Sequence, residues 1–216
     1  MKISKYLHSC LVFEKGGFKL LIDPGTFSFA EGFIDAHEFS DVDAIIITHI
    51  HPDHLDKENL AKIVELSGAK VYTVPQVSEE LNKIEIKSEP IPTLIGPFVL
   101  ELIPVTHEAI LDNPLPEMMG MLIDGKVLHP VDSFDGKLLK YRGVELLLLP
   151  IMAPFTNEIT VAAFADQMKP KRILPVHDGF AKPFFLKQRY ANYKRHFERQ
   201  GILFYDSMEI GAVVEV

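Results

Sequence analysis

Residues 44–54 read AIIITHIHPDH, an uncharged β-branched run that empties into His49, His51, Asp53 and His54. Isoleucines in a short continuous run, bounded by turn-forming residues, mark a strand buried on both faces. Beyond the bend at Pro52, Leu60, Ile63 and Val64 recur at helical spacing, with Asp56 as a helix-opening cap and Gly68 as a stop. The unit is a strand, a chemically loaded turn and a helix, so an α/β architecture follows, with three of the nine histidines gathered at one strand end.

The rest of the chain repeats the alternation. KISKYL, LVFE and FKLLID read as strands, the last two joined by a turn at 15–17, and 24–40 reads as a loop carrying Phe27, Phe29, Phe33 and Phe39. KVYTV is a strand, SEELNKI a short helix, and FVLELIPV and MGMLIDGKVLHPV are strands, the latter folded into a hairpin at Asp124 and Gly125. VELLLLP is a buried strand, NEITVAAFADQMK a helix ended by Pro170, and RILPV a strand. Residues 183–199 are helical with Leu186, Tyr190, Tyr193 and Phe197 on one face, and ILFY and EIGAVVEV close the chain as strands. No repeat, low-complexity run or linker divides the sequence, so residues 1–216 are expected as a single domain with two sheets covered by helices.

Charge narrows the function. A net charge of −8 repels phosphate backbones and anionic lipid, so nucleic acid is an unfavoured partner. No apolar stretch approaches the roughly 18 residues of a membrane span. The single Cys10 cannot form an internal disulfide, and MKISKYLHSC lacks the apolar core of an export signal, so a cytoplasmic location is expected.

Imidazole nitrogens and carboxylate oxygens are the preferred ligands of zinc and similar divalent ions. In an extended segment, residues two apart point the same way, so His49 and His51 can reach one ion while Asp53 and His54, past Pro52, face a neighbouring one. Further candidates end other apolar runs: His107 after ELIPVT, Asp132 after KVLHPV and His177 after RILPV. Each alone is better explained as a hydrogen-bonded structural residue, but with the first cluster they become candidate ligands.

THIHPDH, a later lone histidine, an aspartate after a strand and a final histidine resemble the metallo-β-lactamase superfamily. HSC, LLIDP, VLHPVDS, LLLLPIMAPFT and KPKRILPVHDG are similar to its small metal-dependent hydrolases related to ascorbate-phosphate lactonase. That resemblance implies a four-layer αββα sandwich of two mixed sheets flanked by helices. It also implies that His49, His51 and His107 bind one ion, that Asp53, His54 and His177 bind a second, and that Asp132 bridges both. Two divalent ions are implied, zinc being the expected one and manganese, iron or nickel the alternatives. Such a pair lowers the pKa of a shared water and supplies hydroxide near pH 7, with Asp53 as the catalytic carboxylate holding or accepting its proton.

The expected reaction is hydrolysis of an ester, lactone or phosphoester in a small molecule. The alternatives are a nuclease or cyclic-nucleotide phosphodiesterase on the same scaffold, or a non-catalytic metal-binding protein. Assembly as a homo-oligomer is compatible with the sequence. Two departures from the resembled pattern stand out: Val131 where relatives carry Gly before the bridging aspartate, and Met152, Ala153 and Pro154 where they carry a flexible Gly-Gly-Asn.

Other residues have two readings. His8 and His129 either orient ligands or touch substrate, or are satisfied structural histidines. Thr156 is a substrate-facing hydroxyl or, by preference, the cap of the helix that follows. Asp178 bonds within the site or caps a loop, and Asp23 is explained by a turn as well as by catalysis. His37 and His196 read as surface residues, and the basic residues of 182–199 as a solvated helix face. The apolar loops 24–40 and 108–120 either wall the site or complete the core.

Overall fold

Fourteen strands divide evenly between two sheets. In the computed structural model, which describes residues 1–216, the first sheet is built from β1 (Lys2–Lys5), β2 (Leu11–Lys15), β3 (Phe18–Ile22), β4 (Ala44–Ile47), β5 (Lys70–Thr73) and β6 (Ser88–Pro90). The second runs through β7 (Leu94–Ile95), β8 (Phe98–Pro104), β9 (Met119–Ile123), β10 (Val127–His129), β11 (Leu146–Pro150), β12 (Arg172–Val176) and β13 (Leu203–Phe204). The final strand, β14 (Ala212–Glu215), returns to the first sheet and pairs antiparallel with β1.

Both sheets share one plan. From β14 the first sheet has antiparallel pairings as far as β3 and parallel ones from β3 to β6. From β7 the second is antiparallel as far as β10 and parallel from there to β13. The chain thus repeats a topology although its sequence shows no repeat, because a pleated strand requires an apolar pattern rather than particular residues. Parallel neighbours need crossovers, and helices supply them. These are α1 (Thr26–Phe29), α2 (Lys57–Ser67), α3 (Pro75–Asn82), α4 (Glu158–Met168) and α5 (Pro183–Glu198), with a 3₁₀ segment, Gly136–Tyr141, between β10 and β11.

Strand alternation builds three apolar layers. Ala44 and Ile46 of β4 and Leu146 and Leu148 of β11 meet between the sheets, with Phe13, Phe98 and Met121. Ile45 and Ile47 face α2 and α3, and Leu147 and Leu149 face α4 and α5. The result is the four-layer αββα sandwich. The two expected hairpins form with both turn residues at positive φ, Gly16 and Gly17 at 60° and 81°, Asp124 and Gly125 at 51° and 66°. That backbone matches the twist of the paired strands.

Several local expectations change. The 24–40 segment is not a plain loop: it coils into α1 and two 3₁₀ turns, and Phe39 is fully buried while Phe33 is exposed. Residues 108–118 remain irregular before β9, with Leu111 and Leu115 exposed and Met118 buried. Helix α3 starts at Pro75, earlier than SEELNKI implies, because proline fits a first helical turn whose N–H is unpaired anyway. The cap of α4 is Asn157, whose Oδ1 accepts from the backbone N–H groups of Ile159 and Thr160, so Thr156 does not cap the helix. No helix is long and apolar enough to cross a membrane.

Candidate metal centre

The candidate residues sit where strands end and the two sheets face each other. Parallel pairing of β3 with β4 places Ile22 beside Ile46, so Asp23 and Thr48 leave the sheet side by side. His49, His51, Asp53 and His54 follow β4, His107 follows β8, Asp132 follows β10, and His177 directly follows β12. The turn at 51–54 is clamped by the segment after β3. Thr26 N–H donates to the Pro52 carbonyl at 2.8 Å, and a Cβ on Gly25 would lie 1.8 Å from the Asp53 carbonyl oxygen.

Two groups of four converge, His49 with His51, His107 and Asp132, and His8 with Asp53, His54 and His177; the nitrogen or oxygen atoms in each group all lie within 4.8 Å of one another. Asp132 Oδ2 joins the groups, at 3.8, 3.3, 3.4 and 3.0 Å from the Nε2 atoms of His49, His54, His107 and His177. Ligands about 2.1 Å from one tetrahedral ion stand about 3.4 Å apart, so this spacing is that of atoms sharing a cation.

Hydrogen bonds fix the imidazole tautomers. Each ligand-type histidine must give its proton to an outer acceptor if its other nitrogen is to hold a metal. His54 Nδ1 lies 2.8 Å from Asp23 Oδ2, His107 Nδ1 2.5 Å from the Glu108 carbonyl, and His177 Nδ1 2.6 Å from the Met152 carbonyl. All three acceptors lack protons, so these rings keep a hydrogen on Nδ1 and turn Nε2 inward, where a cation can take the place of any proton it carries. Those Nε2 atoms are buried and have no hydrogen-bond partner. His49 obeys the same rule: Thr48 Oγ1 donates to Asp23 Oδ2 at 2.7 Å and can therefore only accept from His49 Nδ1, at 3.1 Å. The freed His49 Nε2 lies 3.2 Å from His51 Nδ1, close enough for both nitrogens to hold one cation.

His8 differs. Its Nδ1 lies 3.0 Å from the Gly179 backbone N–H, which can only donate, so the ring proton is on Nε2 and is given to Asp53 Oδ2 at 3.1 Å. Although His8 lies among the second group, it orients Asp53 and has no lone pair left for a cation.

The electrostatics favour positive charge. Burial penalises the Asp132 carboxylate, yet the neighbouring His177 and His54 hold its pKa far below the usual range; Asp53 behaves likewise through His177 and His8. Burial also opposes charge on His177, but Asp132 and Asp53 outweigh it and lift its pKa to about 9. Carboxylates that draw protons onto buried imidazoles draw divalent cations into the same space.

The remaining candidates are sorted by position. Asp178 turns away from the cluster and pairs with Lys5 and Tyr190. His129 is buried with Nδ1 accepting from Val131 N–H at 3.3 Å and Nε2 unpartnered; burial lowers its pKa to about 4. Thr156 makes only a 3.5 Å contact with the Asn157 carbonyl. His37 and His196 are exposed and paired with Asp35 and Asp166. Asp23, which the sequence leaves between a turn and catalysis, is the fully buried acceptor that holds both Thr48 and His54; a polar residue ending an apolar strand beside the loaded strand is the signal for it. Backbone strain concentrates here, with His8, Asp23, Val131 and His177 at φ of 60°, 49°, 55° and 61°. For the β-branched Val131 this is a true outlier, which explains why a glycine suits the position before the central aspartate.

A family model described as the beta-lactamase superfamily domain matches residues 2–177. The chain belongs to the metallo-β-lactamase superfamily. It is 29% identical over 189 residues to a UPF0173 metal-dependent hydrolase of Pyrococcus horikoshii, covering 80% of this chain and 83% of that protein. Among solved structures, the metallo hydrolase Igni18 of Ignicoccus hospitalis aligns with a TM-score of 0.69 at 23% identity, over 99% of this chain and 97% of the other. The metallo-beta-lactamase fold protein YhfI of Bacillus subtilis gives 0.71 at 18% identity, over 99% and 98%. These two likenesses establish the fold.

Proposed function

We propose that this protein is a metal-dependent hydrolase that holds two divalent ions, zinc being the expected pair, and cleaves an ester, lactone or phosphoester bond of a small molecule. One observation carries the reading. Four histidines have their outer nitrogens committed to acceptors, which turns their inner nitrogens onto Asp132. The name of the Pyrococcus horikoshii relative supports the same reading. His49, His51 and His107 would hold one ion, Asp53, His54 and His177 the other, and Asp132 would contact both.

When bound, such a pair supplies Lewis acidity and a water whose pKa falls toward neutrality. Asp53 is the chain's own water-orienting carboxylate. Its Oδ2 is occupied by His8, and the side chain retains 15% exposure, so its other oxygen can accept a hydrogen bond from incoming water. Because Asp53 stays ionised, it accepts a hydrogen bond from that water and orients it rather than storing its proton. Phe155, with its ring 5.3 Å from His107 and 5.9 Å from His177, shields one side of the centre from solvent. The free, buried Cys10 suits a reducing cytoplasm.

Metal analysis of the purified protein should find about two equivalents per chain. A screen of lactones, phosphodiesters, phosphomonoesters and thioesters should then reveal turnover that Asp53→Asn abolishes. Full metal occupancy with no turnover across that screen would turn the assignment to a non-catalytic metal protein. Turnover of RNA with steep salt dependence would move it to a nuclease.

A further inference from the structure

Beside the centre lies a second space, a cavity of about 560 Å³ walled by Phe27, Phe33, Phe180, Leu186, Met208 and Ile210. Phe27 and Phe180 also touch the site: their rings lie 5.1 and 5.2 Å from His8 and 5.0 Å from each other, and Phe180 is 5.3 Å from His177. A partition one ring thick therefore separates cavity from metal centre. Phe180 is partly exposed, so a molecule can lie across its edge and occupy both spaces.

The cavity has a polar corner that the proposed reaction does not use. Lys5 Nζ donates to Asp178 Oδ2 at 2.5 Å and to the Tyr190 hydroxyl at 3.0 Å, and Tyr190 donates to the same Oδ2 at 2.5 Å. An ammonium has three donors and a carboxylate two oxygens. One Lys5 N–H and Asp178 Oδ1 thus have no protein partner, on side chains only 6% and 5% exposed. Lys5 and Asp178 cancel in charge, as do Glu31 and Lys182, the other charged residues of the lining. An ionic ligand finds no net counter-charge there, whereas one hydroxyl or amide can meet both the free donor and the free acceptor. The volume is that of a small-molecule site.

We propose that this cavity binds the non-reacting part of the substrate, an uncharged alkyl or aryl group bearing one hydroxyl or amide, while the scissile bond lies at the metal centre. The substrate assignment rests on the hydrolase reading above; the existence of the binding site does not. Metal-depleted protein should bind the neutral dye Nile red saturably, with displacement by 1,6-hexanediol and not by adipate. Ala181→Trp and Ala30→Trp, which fill the lining from separate segments, should each weaken dye binding by about tenfold or more. With metal-loaded protein, p-nitrophenyl 6-hydroxyhexanoate should exceed the acetate in kcat/KM by about tenfold, a ratio that collapses toward one in Ala181→Trp. Unchanged dye binding in both variants, with circular dichroism melts like the parent's, overturns the cavity assignment, and so does displacement by adipate as effective as by the diol. A chain-length ratio near one in the parent overturns the substrate assignment. Intact dye binding with no ester turned over sinks the hydrolase reading and leaves the cavity as a binding site.

Discussion

Replacing Asp23 by asparagine should weaken one metal position without touching a ligand. The carboxylate accepts three hydrogen bonds, from Thr48 N–H at 2.8 Å on Oδ1 and from Thr48 Oγ1 at 2.7 Å and His54 Nδ1 at 2.8 Å on Oδ2. An amide offers one oxygen. If that oxygen keeps the backbone bond, the NH₂ group faces Thr48 and His54; the reverse orientation sets two donors against each other at the backbone. In the first arrangement His54 must accept through Nδ1, so its proton moves to Nε2, the atom that should face the cation. Loss of such an outer partner typically costs 10–100-fold in metal affinity, about 1.4–2.8 kcal/mol. Zinc competition against a chromophoric chelator should show one of two sites weakened by that factor in Asp23→Asn, with the other nearly unchanged. Two affinities within about twofold of the parent's would refute the tautomer argument.

Gly25→Ala should destabilise by about 3 kcal/mol, read from the denaturant midpoint, because its Cβ meets the Asp53 backbone rather than a movable side chain; a change below about 0.5 kcal/mol would contradict the close approach. Tyr190→Phe removes a bond to a buried carboxylate and should cost about 1.5–3 kcal/mol near neutral pH. Burial and Asp178 raise the Tyr190 pKa well above its ordinary value. The stability this gives is complete below about pH 10 and lost as pH rises through the folded value, so the parent's melting temperature should fall more steeply above pH 10 than the variant's. Chelation of bound metal should lower the melting temperature, by the equivalent of about 4 kcal/mol if free ion had stood at 1,000 times Kd; an unchanged melt would count against occupancy of the centre.

The architecture was legible because its signals are local. β4 and β11 are continuous apolar runs that bury both faces, and the two hairpins carry residues that tolerate positive φ. The short β6 and β7 were invisible since two or three residues hold no period. The histidines and Asp132 could be picked out because each ends a strand. Their outer partners could not: His107 and His177 lean on backbone carbonyls of Glu108 and Met152, which any side chain provides. Adjacency to His177 draws Asp178 toward the site in the sequence, yet successive residues leaving a strand point to opposite sides, and Asp178 faces Lys5 and Tyr190 instead. Thr156 and Asn157 are both acceptable caps, and only the backbone shows which one turns.

Each group around the centre draws from both sheets: His49 and His51 leave the first, His107 and Asp132 the second, and Asp53 and His54 meet His177 across the same seam. Neither half of the polypeptide owns a complete cation cage. During synthesis the nascent amino-terminal half therefore presents only a chelating turn; the group around His107 is complete once Asp132 has emerged, and the other only when β12 docks and brings His177. A cation held by that second group would thus report that the molecule has closed.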